Sequence, residues 1–269
     1  MKKKLNLIDT KFTHAPSSSW YNITKNFEWS RSINENSDNI IITNLTTIEN
    51  LHNKKIYGWI IEPPSLEKGQ YEFAKKNHQR FEKIFTYDDE LLSISDKFEF
   101  LPIGGCWIEK QDWKIHEKSK LICSISSFKT ITEGHRMRHE VVKKFTSIDS
   151  YGNGYKPINK KIDVLKDYMF SVVIENEKME FLFTEKLIDC FITGTIPIYR
   201  GCPSISKFFD IRGFFVFDTI EELETILKSI NEETYYEKME YLKINLELSK
   251  KYTIADNLIF DKLNSWGVY

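Results

Sequence analysis

Residues 168–201 read YMFSVVIENEKMEFLFTEKLIDCFITGTIPIYRG, and this stretch decides the fold class. Tyr168–Glu175 is an almost unbroken apolar run, the pattern of a strand covered on both faces, as in parallel sheets. Leu187, Ile188, Phe191 and Ile192 fall on one side of a helix and give it an apolar face. Thr184 stands at the N-cap, where its hydroxyl can accept from first-turn N–H groups, and Gly194 supplies the left-handed residue that ends the helix. Thr195–Tyr199 is then a second strand, in which Pro197 donates no ladder bond. Strand, loop, helix, tight turn and strand make a βαβ unit.

The same grammar extends outward. Leu121–Ile125, Ser147–Tyr151 and Phe214–Phe217 read as strands, and Gly134–Phe145, Ile220–Ile230 and Thr234–Tyr252 as helices. Upstream, short apolar runs at Leu5–Ile8, Asn39–Ile42, Ile56–Ile61, Lys83–Tyr87 and Phe98–Ile103 alternate with polar stretches, of which Leu66–Phe81 has helical spacing. The expectation is α/β throughout, with a clear Rossmann-type second half and a looser relative of it in the first. The charged segment Ile108–Lys118 reads as a linker. It separates an N-terminal domain, 1–112, from a C-terminal domain, 113–269, whose last stretch from about Leu246 is expected to pack back across the first.

Composition narrows the function classes. Among 269 residues, 38 basic and 39 acidic side chains give a net charge of −1, which argues against a globally basic nucleic-acid binder. No apolar run approaches the roughly 18 residues of a membrane span, and MKKKLNLIDTKF at the start lacks the apolar region of a secretory signal. The four cysteines form no C-x-x-C pair, so reduced thiols in a cytoplasmic chain, with peripheral membrane contact left open, are expected. No Asp-x-Asp occurs, and His135 and His139 lack the H-E-x-x-H order, so no metal ligands and no required cofactor are expected, a divalent ion staying open. Asp88-Asp89-Glu90 reads as a turn and helix start. His14-Ala-Pro-Ser-Ser-Ser-Trp20 reads as a plain loop, with an acceptor-side loop as the alternative.

The chemistry concentrates where the 184–193 helix begins. Glu185 and Lys186 occupy its first turn at the carboxyl end of the preceding strand, the edge where open α/β sheets bind ligands. Free N–H groups there suit a phosphate; Lys186 offers a point charge and Glu185 an acceptor for ribose hydroxyls. Spacing alone leans toward an acid that serves the helix dipole and a solvated lysine.

Glu175-Asn176, then Thr184-Glu185-Lys186, then Gly194-Thr-Ile-Pro-Ile-Tyr-Arg-Gly201 resembles the donor-binding signature of the α1,3/4-fucosyltransferases, glycosyltransferase family 10. The likeness is strongest over Tyr168–Gly201 and extends weakly to about Ser124 and Asp218. It implies the GT-B fold, two Rossmann-like domains facing across a cleft, with Asn176, Glu185 and Lys186 on a GDP-sugar. Within Gly134–Phe145, Arg138 matches the arginine that holds the diphosphate, with Arg136 in reserve. A thinner likeness around Tyr57–Ser65 makes Glu62 the general base. The implied reaction is inverting transfer of fucose from GDP-fucose to a hydroxyl of an oligosaccharide or polysaccharide acceptor. Another nucleotide sugar, or a non-catalytic nucleotide- or carbohydrate-binding module, are the alternatives. The chain departs from the signature at Leu182, where an aromatic residue is usual, at Glu177, where serine is usual, and at Arg200.

Overall fold

The computed structural model describes residues 2–33 and 38–268, and the chain divides into two units. One comprises Met1–Ile103 with Ile254–Tyr269, the other Gly104–Thr253.

In the first unit, β1 (Lys3–Ile8), β2 (Phe27–Ser30), β3 (Asn39–Ile42), β4 (Lys55–Trp59), β5 (Lys83–Thr86) and β6 (Phe98–Phe100) form an all-parallel sheet in the order β2-β1-β3-β4-β5-β6. The two-residue period of a strand sends Leu5, Leu7, Ile41, Tyr57, Trp59 and Phe85 into one core and Ile40, Ile42, Ile56 and Ile84 into another. The second core is closed by α1 (Pro64–Asn77) and α2 (Asp89–Ile94) through Tyr71, Ala74 and Leu91. Asp88 caps α2 by accepting from Leu91 N at 2.7 Å, so the acidic triplet is a helix start. The first core is closed by the C-terminal helix, Ala255–Ser265, with Ile259, Phe260 and Leu263. β2 escapes a sequence reading because Phe27-Glu-Trp-Ser30 shows only two turns of alternation.

The second unit holds β7 (Lys120–Ile125), β8 (Asp149–Tyr151), β9 (Tyr168–Ile174), β10 (Ile196–Arg200) and β11 (Phe215–Val216), all parallel, in the order β11-β10-β9-β7-β8. Every residue of the central strand β9 is buried, as its unbroken apolar run predicts. Around the sheet lie α3 (Glu133–Lys144), α4 (Ile162–Leu165), α5 (Glu185–Ile192), α6 (Ile220–Ser229), α7 (Glu232–Glu237) and α8 (Met239–Ser249). The single helix expected over Thr234–Tyr252 is broken at Lys238, whose ψ of −2° interrupts the turn. Two tethers hold the break: Tyr235 buries its hydroxyl against Gly194 O at 2.8 Å, and Lys238 Nζ donates to Arg212 O at 2.9 Å.

The segment Ile108–Lys118 is not a linker. Trp107 N donates to Asp189 Oδ1 at 2.7 Å, and Lys118 Nζ donates to Leu165 O, Thr193 O and Thr195 Oγ1 at 2.8–3.0 Å. Just before it, Gly104 and Gly105 both have positive φ, and a Cβ on Gly104 would lie 2.3 Å from Tyr252 O. The polar character that suggested a linker belongs to a strap bonded onto its own unit.

Both sheets reverse their strand order once, between β1 and β3 in the first and between β7 and β9 in the second. At such a point the connections leave to opposite sides and open a crevice at the carboxyl ends of the strands. Among the described residues, no helix is long and apolar enough to cross a membrane.

Candidate functional site

At the β7/β9 reversal, α3 begins directly over the carboxyl end of β9. Gly134 N donates to Asn176 O at 3.0 Å, and a Cβ at Gly134 would meet Glu175 O at 1.8 Å, so only glycine lets the helix come this close. One turn later Arg138, 7% exposed, donates through Nε to Ile174 O at 2.9 Å. Its Nη2 donates to the same carbonyl and to Asn176 Oδ1, the latter at 2.9 Å. Among the described residues Nη1 has no acceptor. Burial pulls the guanidinium below its usual value while Glu175 and Glu185 oppose the shift, and it stays cationic. His135 beside it is held down to about 4 by burial and by Arg138, so it adds no charge at neutral pH.

The other half of the site is the start of α5. Glu175, 1% exposed, accepts from Thr184 N and Thr184 Oγ1, both at 2.8 Å, and so clamps the N-cap residue to the end of β9. Lys186 Nζ lies 3.0 Å from Thr184 Oγ1, 3.4 Å from Glu175 Oε2 and 3.5 Å from Glu185 Oε1. Burial alone would raise Glu185, but Lys186, Lys161 and the Thr184 hydroxyl outweigh it and hold the carboxyl at about 2. Glu185 is therefore a permanent acceptor, able to receive hydroxyl donors.

Lys161, at the start of α4, completes the cluster. Its Nζ is 2.7 Å from Asp189 Oδ2, 3.5 Å from Glu185 Oε1 and 4.3 Å from the centroid of the Trp107 ring. Burial works against its charge, yet Asp189 and Glu185 raise its pKa, so it stays an ammonium. A cavity of about 40 Å³, room for a water or two, is lined by Arg138, Lys161, Lys186 and Asp189 among others. Arg138, Lys161 and Lys186 thus meet Glu175, Glu185 and Asp189 beside one small recess at the start of α5, a charge-balanced cluster whose remaining walls are apolar.

The fold brings Arg138, Asn176, Glu185 and Lys186 together, and Arg138 and Asn176 are directly bonded. Arg136 stands apart: it is exposed on α3 and donates to Thr130 O and Ile131 O in the loop just before that helix. Glu62 lies in the other unit, half-buried just after β4, with its carbonyl accepting from Tyr71 OH at 3.0 Å and Pro63-Pro64 fixing the chain beyond it. Arg200 is 8% exposed, donates to Asp218 O at 3.1 Å and pairs with Glu133, so it is no solvated surface residue. Leu182 is buried, with its carbonyl accepting from Tyr199 OH at 3.3 Å. Sequence reasoning missed Lys161, Asp189 and the clamp made by Glu175. A lysine in a polar run and an acid on a short helix carry no periodic signal, and their pairing spans 28 positions. Among the described residues no group of three or more His, Cys, Asp or Glu side chains is arranged to hold a metal.

Comparison with known proteins places this arrangement in a family. The chain is 31% identical over 109 residues to a fucosyltransferase-like protein of Arabidopsis thaliana, a stretch that is 39% of this chain and 20% of that protein. It is 41% identical over 61 residues to the alpha-(1,3)-fucosyltransferase FucT of Helicobacter pylori, covering 23% of this chain and 13% of that protein. The matched stretch is thus a fifth or less of either relative. The crystal structure of an alpha1,3-fucosyltransferase with GDP superposes with a TM-score of 0.58 at 16% identity, covering 95% of this chain and 91% of that one. The fold is therefore α/β of the GT-B class. Residues 115–258, more than half of the chain and the span that carries Arg138, Lys161, Asn176, Glu185 and Lys186, match the family described as glycosyltransferase family 10 (fucosyltransferase), C-terminal, and the chain belongs to that family.

Proposed function

We propose that this protein is an inverting glycosyltransferase that moves fucose from GDP-fucose onto a hydroxyl of an acceptor glycan. The observation that supports it best is at the β7/β9 reversal, where the buried guanidinium of Arg138 has its Nη1 left without a protein acceptor among the described residues. In this reading the diphosphate docks against Arg138 and Lys186. Its developing charge is neutralised there as the sugar–phosphate bond breaks. Asn176 orients Arg138 and reaches the nucleotide, and Glu185 accepts from the ribose hydroxyls. Glu62, at the carboxyl edge of the first sheet, takes the proton from the attacking hydroxyl. In this assignment lysine and arginine carry the charge-neutralising role, and a divalent ion stays open.

Leu182 favours a second reading in which a different nucleotide sugar is the donor, because the buried leucine offers neither a ring nor a hydroxyl to the ligand. One experiment separates the two. Thermal stabilisation is measured with GDP and UDP, followed by release of free sugar from GDP-fucose, GDP-mannose and UDP-glucose. Preference for GDP with turnover of GDP-fucose supports the first reading. Preference for UDP removes it. Glu62→Gln should keep GDP binding and lose transfer; undiminished transfer would eliminate Glu62 as the base.

A further inference from the structure

The first sheet has its own order reversal, between β1 and β3, and the loop leaving β1 there displays an exposed tryptophan. Trp20 is 40% exposed and adopts φ = +55°, a conformation that side chains of its size rarely take. Among the described residues Asn53 is the only other non-glycine with positive φ. The loop is pinned from beneath. Asp256, 0% exposed, accepts from Ser18 N at 3.2 Å, from Ser18 Oγ and from Trp29 Nε1 at 2.6 Å. Ser17 Oγ donates to Asn22 O at 2.6 Å, closing the turn. A buried carboxylate and a strained backbone therefore hold an indole outward at the edge where α/β sheets bind ligands.

The surface so presented is aromatic. The Trp20 ring meets His14 at 4.4 Å and 63°, and Tyr21 at 6.1 Å and 74°. From Phe12 to Thr24 there is no Asp, Glu, Lys or Arg, in a chain of which these make up 29%. The cations bonded to the loop are spent on its own carbonyls, Arg31 on Phe12 O and Ala15 O and Lys2 on Thr24 O, which disfavours a phosphate or a nucleic acid, and one loop is far smaller than the roughly 800 Å² per partner of a stable protein interface. The C–H face of an uncharged pyranose fits: it packs flat on an aromatic ring while its hydroxyls reach polar groups at the rim.

We propose that the Trp20–Tyr21 surface is a stacking platform for a neutral pyranose of the acceptor glycan. The assignment of that sugar to an acceptor rests on the transferase reading above. The full chain is titrated with lactose, N-acetyllactosamine, maltose and cellobiose under saturation-transfer-difference NMR, using wild type, Trp20→Gly and Trp20→Tyr. Glycine is chosen because it accepts the positive φ, and each variant's melting temperature and stabilisation by GDP are recorded. At least one sugar should bind the wild type through its ring C–H protons. Trp20→Gly should weaken it about ten-fold and Trp20→Tyr should largely restore it, with stabilisation by GDP the same in all three. Binding unchanged in Trp20→Gly, or no binding of any of the four sugars, overturns the platform. Trp20-dependent sugar binding in a protein that GDP fails to stabilise keeps the platform and removes the transferase reading.

Discussion

Gly134→Ala and Gly69→Ala place the same methyl group on two helices, and the structure predicts opposite signs. At Gly134 the new Cβ would lie 1.8 Å from Glu175 O and 2.9 Å from Asn176 O, both backbone atoms. Ordinary contact requires α3 to retreat by roughly 1.5 Å. The strand end cannot yield instead, because Glu175 N is bonded to Arg200 O at 2.9 Å and Ile174 O is bonded to Arg138. Overpacking of this kind costs about 1–3 kcal/mol or more, against a helix-propensity gain of at most about 1 kcal/mol. A net loss of about 2 kcal/mol should lower the melting temperature of the second unit by roughly 4–8 °C. Retreat of α3 also carries Arg138 away from Asn176, so GDP affinity should fall about ten-fold if the nucleotide docks there. At Gly69, exposed on α1 just past its kink at Glu67, nothing lies within 4 Å of the new Cβ, and alanine should stabilise by up to about 0.5–1 kcal/mol. Differential scanning calorimetry with and without GDP reads both variants. A Gly134→Ala protein that melts and binds GDP like wild type would refute the claim that close approach of α3 builds the site.

Three further outcomes follow from the charges. Glu185 is held at about 2 against an ordinary 4.5, so its share of stability is complete above pH 4.5 and is lost as the pH falls toward 2. Urea unfolding across that window should show a fall of at most roughly 3 kcal/mol that Glu185→Gln lacks; parallel curves would contradict it. Lys161→Met strands Asp189, whose side chain is 1% exposed, and should cost about 3 kcal/mol in urea unfolding, with Asp189→Asn in the same chain recovering part of the loss. No recovery would mean that the lysine acts through packing alone. Lys118 is lowered to about 7 by burial from an ordinary 10.5. Between these pH values the unfolded chain binds the extra proton, so stability should rise with pH from 7 to 10.5 in the wild type and not in Lys118→Met.

Local patterns were legible wherever one segment carries its own signal. β9 announces itself by seven buried residues in a row, and α5 by a threonine cap, an apolar stripe and a terminal glycine. β2 was hidden because four residues are too few for a period-two pattern to stand out. The strap at 108–118 was misread because surface charge says nothing about which unit a segment is bonded to. Helix continuity through Lys238 failed for a related reason: the tethers of Tyr235 and Lys238 reach Gly194 and Arg212, far away in sequence. The site divides the same way. Arg138, Asn176, Glu185 and Lys186 sit in recognisable runs, and the structure gathers them. Lys161 and Asp189 become a pair only after α4 and α5 have packed on β9, so no local pattern could have joined them.

The first unit is assembled from two segments that flank the second in sequence, and this sets an order of events on the ribosome. Its strands are synthesised before the second unit, yet the core of Leu7, Tyr57 and Phe85, partly covered by Phe12, Ala15 and Leu101, is not closed until Ile259 and Leu263 emerge. The unit between, 104–253, is uninterrupted and can close while the nascent N-terminal sheet still waits. The sheet made before the second unit is therefore completed after it, and the half-covered sheet is the species a chaperone would meet.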